Sequence, residues 1–202
     1  ADIVDVTTIP YQQVPVRTIP EKRLVEHVRT LYFNDPLTDA LEARKINRLG
    51  IPYETYKLAL TKSLLTAIFE DKLDPATVPG QFALSKLDSK NVSGFLSGPD
   101  AVDKFGPEAL DQYWMCSGIA GFNADADQHF YLPEKYTDPF DNITMLEYGK
   151  YDLFIQATVD ALGNRSGVFV DPNTGNAHFD YRVLAPAEFE DINGNRTEVC
   201  FD

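Results

Sequence analysis

The sequence predicts a mainly β chain: antiparallel, twisted repeat strands with one small helical excursion. Three observations carry that expectation. One short unit is written three times in the last third, as Asp138-Pro-Phe-Asp-Asn-Ile-Thr-Met-Leu-Glu-Tyr148, Asp160-Ala-Leu-Gly-Asn-Arg-Ser-Gly-Val-Phe-Val170 and Asp191-Ile-Asn-Gly-Asn-Arg-Thr-Glu-Val-Cys-Phe201. The residues that close each unit alternate, Leu146 with Tyr148, Val168 with Val170 and Val199 with Phe201, which is the period of a half-buried strand. Ten Tyr and thirteen Phe against two Met favour strands over helices.

The common frame is Asp, two residues, Gly or Asp, Asn, one residue, then Ser or Thr. Gly163, Gly194 and the Asp-Asn pair ending at Asn142 suit the left-handed backbone of a tight hairpin. The leading Asp138, Asp160 and Asp191 can accept bonds from backbone N–H groups two or three residues on and so close each turn, and Asn142, Asn164 and Asn195 are the remaining turn residues of the frame. Strand-like runs precede two of the turns, Tyr151 to Val159 and Tyr181 to Leu184. Uneven recurrence of one supersecondary unit is an array signature. A plain β-meander that reuses Asp…Gly-Asn turns is the alternative.

A chain of 202 residues with 44% hydrophobic residues is long enough to bury a core. Its formal charge of −13 repels phosphate backbones, so neither nucleic acid nor an anionic membrane surface is an expected partner. No apolar run reaches the roughly twenty residues of a membrane helix. The chain starts at Ala and stops in mid-pattern, so it is expected to be a piece of something longer, divided into an extended segment (1–60), a helical and loop excursion (61–112) and a β repeat segment (113–202).

Taken in order, residues 1–20 are extended and interrupted by Pro10, Pro15 and Pro20, which suits an edge strand or strap. Residues 21–33 fit helical and alternating spacing equally. Asn34-Asp35-Pro36 breaks that element, and Tyr53 to Leu60 continues as a strand. Residues 61–71 are the clearest helix, with Thr61 as N-cap and Leu64, Leu65, Ile68 and Phe69 on one face. Asp74-Pro75 reads as the start of another helical turn. Residues 80–112 read as a polar surface excursion with breakers at Gly98-Pro99 and Gly106-Pro107 and a short helix from Pro107 to Gln112. Tyr113-Trp114 returns the chain to the core, and His129 to Pro133 leads into the first repeat.

Several blocks carry a family likeness: Arg23 to Tyr32, Leu49 to Thr61 with Leu64-Leu65, Trp114 to Gly118, Gln128 to Pro133, Asp138 to Asn142, Tyr151-Asp-Leu, Asp160 to Asn164, Asp180 to Leu184 and Asp191 to Arg196. In this order and spacing, residues 21–202 resemble the B component of ABC-type (Tc) insecticidal toxin complexes, in the region that follows its propeller and leads into its RHS (YD) repeats. The resemblance implies RHS/YD-like hairpins and a non-catalytic role. In that family the B component and the front of the C component wind into a hollow shell that encloses the toxic end of the C component until a pore-forming A component delivers it. The implied partners are therefore the C component, the A component and the rest of the B chain, in a secreted complex, with no membrane insertion by this segment. The self-cleaving aspartate motif of the C component has no match here, so no catalytic residue is carried over. The chain departs from the pattern in residues 80–112 and at Met115-Cys116-Ser117-Gly118.

Other chemistry reads as weak. Asp191-Ile-Asn-Gly-Asn spaces oxygens like a calcium loop, but Arg196 stands where an EF-hand needs glycine, and Asp171-Pro-Asn-Thr-Gly is a plain turn string. His27, His129 and His178 are scattered rather than set at ligand spacing, so no metal or cofactor is expected. Asn91, Asn142, Asn164 and Asn195 head sequons, which turn chemistry explains for three of them. Cys116-Ser117 with His129 is the one nucleophile candidate and lacks a strand–elbow–helix context. Cys116 and Cys200 are expected to be buried free thiols, and Tyr113, Trp114, Phe130 and Tyr131 to be core rather than a sugar platform. The rival function is a cell-surface carbohydrate-binding or adhesin module.

Overall fold

The computed structural model describes residues 5–16, 18–73 and 84–202, so the expected turn at Asp74-Pro75 lies outside the described residues. The chain is mainly β, and it divides into two compact units, one of residues 1–35 and 39–118 and one of residues 36–38 and 119–202.

In the first unit, β1 (Thr7–Thr8) pairs in parallel with β2 (Glu21–Lys22). The proline-rich stretch between them is a strap. Arg23 pins it by donating to the carbonyls of Tyr11 and Gln13, each at 2.7 Å. The ambiguous residues that follow form a strand, β3 (Val28–Tyr32), antiparallel to β4 (Pro52–Thr61) with Leu31 opposite Glu54. A long-range ladder decided between two local patterns that suited the sequence equally.

Thr61 ends β4 and caps α1 (Lys62–Phe69), its hydroxyl accepting the Leu64 N–H at 3.2 Å. Two single turns, α2 (Leu84–Leu87) and α3 (Lys90–Ser93), precede the short strand β5 (Phe95–Leu96). Gly98-Pro99 does not break the chain there. It opens α4 (Gly98–Phe105), because proline's fixed φ suits the first helical turn. Pro107 to Ala109 is a 3-10 turn rather than a helix reaching Gln112, and Gln112 already belongs to β6 (Gln112–Cys116). The sheet runs β3-β4-β6-β5. With β6 inside it, the first unit extends to Gly118.

This sheet and α4 bury Leu31, Tyr56, Leu96, Ala101, Phe105, Ala109 and Trp114. Arg29 lies over the rings of Phe105 and Trp114 at 4.7 and 5.2 Å. Its guanidinium donates to the Phe105 carbonyl at 3.1 Å and pairs with Glu108 at 3.3 Å.

The second unit strings out β7 (Ile119–Gly121), β8 (Lys135–Thr137), β9 (Ile143–Tyr148), β10 (Ile155–Val159), β11 (Arg165–Val168), β14 (Glu188–Glu190) and β15 (Arg196–Glu198) as one sheet of antiparallel neighbours. β12 (Phe179–Asp180) and β13 (Ala185–Pro186) form a separate small pair. Two expected strands are shorter or absent. Residues 149–154 turn, with Asp152 at φ 55, so only Ile155 onward pairs. Tyr181 to Leu184 is a turn, because the Asp180 carboxylate accepts the Arg182 N–H at 2.8 Å and bends the chain. β14 is the strand that leads to the third repeat turn. β10 and β11 approach so closely that a Cβ on Gly167 would stand 2.3 Å from the Gln156 carbonyl oxygen.

Opposed residues share a face, so Ile143 and Met145 point to one side and Tyr136 and Phe189 to the other. All four remain at least 38% exposed. Within the sheet, the buried apolar residues among those described are Ala157 and Val168. It is a single layer with both faces partly wet.

Trp114 is fully buried and Leu162 is 88% exposed. Trp114→Ala is expected to cost about 3–5 kcal/mol and Leu162→Ala to stay within about 0.5 kcal/mol, both read from the midpoint of urea unfolding.

Candidate functional site

The three repeat turns have one hydrogen-bond plan. The Oδ1 of Asp138, Asp160 and Asp191 accepts the N–H two residues on, from Phe140, Leu162 and Asn193, at 2.8, 2.9 and 2.8 Å. The same oxygen accepts the N–H of Asn142, Asn164 and Asn195 at 2.9 Å in each turn. The other oxygen accepts the Asn side-chain amide at 3.0, 2.8 and 2.9 Å. The backbone closes a three-residue loop, with the Asp N–H donating to the Asn carbonyl at 2.9, 3.0 and 2.9 Å. The residue before each Asn is left-handed: Asp141 at φ 65, Gly163 at φ 83, Gly194 at φ 76. That is a type I turn followed by a left-handed residue. The turns join β8 to β9, β10 to β11 and β14 to β15.

Each carboxylate is held below the usual aspartate range, chiefly by the Asn side-chain amide and with help from the backbone N–H groups, against a desolvation effect that pushes the other way. These lone pairs already have donors, which leaves the turns ill suited to hold calcium. Among the described residues no three His, Cys, Asp or Glu side chains gather as a metal site. The amides of Asn142, Asn164 and Asn195 are spent within the turns, and Asn91 lies in α3. Asp171 repeats part of the plan, accepting the Asn173 N–H at 2.8 Å and the Thr174 hydroxyl at 3.0 Å, with Gly175 at φ 70.

The other candidates sort differently. Tyr113 and Trp114 are buried, but Phe130 is 74% exposed, so it is not core. Both cysteines are free, as expected, yet Cys200 is exposed rather than buried. Burial, with help from Glu54, pushes the Cys116 thiol up to about 11. Ser117 is committed to structure, its hydroxyl accepting from the Thr55 N–H at 2.9 Å. His129 pairs with Asp152 at 2.8 Å, and His178 with Glu188 at 2.7 Å.

Sequence reasoning overlooked Glu54. It is 3% exposed, accepts the Tyr56 hydroxyl and stands 3.9 Å from the Lys90 ammonium. Burial first, then Glu54, drives the Tyr56 hydroxyl far above the tyrosine range. The parity of Glu54 with Tyr56 and Leu58 on one strand was the available signal.

The geometry defines a class: a chain whose second unit is a single-layer antiparallel sheet built on self-closing Asp–Asn hairpins and whose first unit is a compact sheet packed with α4. Solved structures of similar fold include a TcdB2-TccC3-Cdc42 crystal structure (TM-score 0.58, 19% identity), TcdB2-TccC3 without its hypervariable C-terminal region (0.58, 18%) and the Tc holotoxin pore of Photorhabdus luminescens (0.59, 19%), each over 87% of this chain. The chain spans about 7% of the length of those chains. At this identity the likeness is one of fold. No family model and no curated protein matches.

Alanine at Gly163 or Gly194 places a Cβ on a left-handed residue, and each change should cost about 1 kcal/mol in urea unfolding. The turn carboxylates have folded pKa values below the ordinary 3.8. Their stabilisation is therefore present above pH 3.8 and is lost as pH falls below it through the folded values. The melting temperature of Asp160→Asn should fall less steeply than wild type in that window. Iodoacetamide near neutral pH should label Cys200 and leave Cys116 largely unmodified, as peptide mass spectrometry would show.

Proposed function

We propose that this chain is a structural, non-catalytic segment of an RHS/YD-type shell wall. In this reading the wall encloses the toxic polypeptide of an exported, insecticidal-type toxin complex. The observation that carries the reading is the sheet of the second unit. It is one layer thick, both faces are part-exposed, and among the described residues nothing pairs with the outer side of β7 or β15. A free-standing domain normally covers a sheet face and guards its edges, whereas a shell wall is continued at its edges by further strands. The fold likeness to TcdB2-TccC3 complexes and to a Tc holotoxin pore supports the same reading. The partners it implies are the rest of a B component, a C component and a pore-forming A component.

A carbohydrate-binding or adhesin module is the second reading, favoured by the exposed rings of Phe130 and Tyr151. The two readings separate in solution. Residues 119–202 hold fifteen acidic and five basic side chains, a net of −10 within the −13 of the whole chain. Like charge therefore opposes contact between sheet edges, and salt screens it. A wall segment should associate through β7 and β15 as salt rises from about 0.05 to about 1 M, as sedimentation would show. Glu198→Pro removes an outward-facing N–H from the edge and should reduce that association. A strict monomer at every salt would sink the wall reading, and selective binding on a glycan array would establish the second.

A further inference from the structure

Two loops of the second unit carry backbone strain. In the first, the 3-10 turn Ala126–Gln128 is followed by His129 and then by Phe130 at φ 56 and Tyr131 at φ 55. The N–H groups of His129 and Tyr131 both donate to the Ala126 carbonyl, at 3.1 and 2.8 Å. In the second, Gly149 donates to the Phe154 carbonyl at 3.1 Å, and Asp152 stands at φ 55. Bulky residues seldom occupy this region, and such outliers persist only where surrounding contacts hold them.

The contact that spans these two loops is His129. Its Nδ1 is 2.8 Å from the Asp152 carboxylate and its Nε2 is 3.7 Å from that of Asp125. A neutral imidazole donates from one nitrogen only, whereas the protonated ring donates from both. We propose that His129 is the pin of a pH-gated clasp between these loops, held fast by its ion pair with Asp152 when the imidazole is protonated and loosened when the ring is neutral and keeps at most a single N–H to donate.

The charged groups that act on His129 are all acidic: Asp152 from the facing loop, Asp125 from its own turn and Glu134 from the approach to β8. Glu134 is itself engaged by the Asn123 amide. The hydrogen bond to Asp152 leads in raising the imidazole above its ordinary 6.5. A raised folded value means that the clasp contributes fully below pH 6.5 and is lost as pH rises through the folded value. A second link stays in place through that window, the Tyr148 hydroxyl donating to the Pro133 carbonyl at 2.8 Å. Loosening the clasp therefore gives the loop tips, including the exposed Phe130 ring, more freedom without detaching β9.

Hydrogen-exchange mass spectrometry on the full chain tests this, reading peptides over 124–133 and 149–154 with intrinsic rates corrected for pH. In wild type, corrected exchange in both peptides should rise at least about threefold from about pH 6 to about pH 8.5, while the β10–β11 hairpin stays constant. Asp152→Asn and His129→Gln should exchange at the faster level throughout. The NMR titration midpoint of His129 should fall in Asp152→Asn. Equal pH profiles in wild type and Asp152→Asn, or equal His129 midpoints, would overturn the clasp.

Discussion

The carboxylate that opens each hairpin carries more of residues 119–202 than any buried side chain does. A single β-layer has no second layer to bury it, so packing cannot set the register of its strands. Register must then come from the turns. Asp138, Asp160 and Asp191 set it by collecting two backbone N–H groups and one side-chain amide each. Those bonds close the loop at three residues whatever the strands on either side are made of. This is why the strands can be as unlike as Ile143–Tyr148 and Arg165–Val168 and still hang in one sheet.

The first unit is stabilised in the opposite way. Trp114, Tyr56 and Phe105 lock an ordinary interior, and the charged groups Arg29 and Glu54 enter it with partners. Arg29 is accommodated because aromatic faces and the Phe105 carbonyl accept it. Glu54 is accommodated because the Tyr56 hydroxyl and Lys90 attend it. A residue that is interchangeable in the open sheet would be costly here, where a buried charge without its partner has no water to turn to.

The contrast governs what could be read from the sequence. The turns were legible because their hydrogen bonds lie within five consecutive residues. The N-cap at Thr61 and the helix it starts were legible for the same reason. Residues 21–33 were not, since their strand identity depends on Tyr56 and Glu54 as ladder partners. Tyr181 to Leu184 alternates like a strand, but the Asp180 carboxylate captures the Arg182 N–H and turns the chain first. Gly98-Pro99 was misread because proline breaks a helix interior yet suits its start. Phe130 was assigned to the core on residue type, and a positive φ, invisible in composition, turns it outward. The pairing of His129 with Asp152 joins two loops and leaves no local mark.

The locality of the turns also implies an order of events in folding. Each hairpin of the second unit needs only a short loop to close before its ladder can zip, a microsecond-scale event. The first unit must bring Leu58 to Trp114 across the whole helical excursion before β4 and β6 can pair, and chain entropy slows such distant contacts. The chain thus contains two clocks. Its β10–β11 and β14–β15 hairpins can form while the first unit is still searching, and their ladders would be finished long before the core around Trp114 is complete.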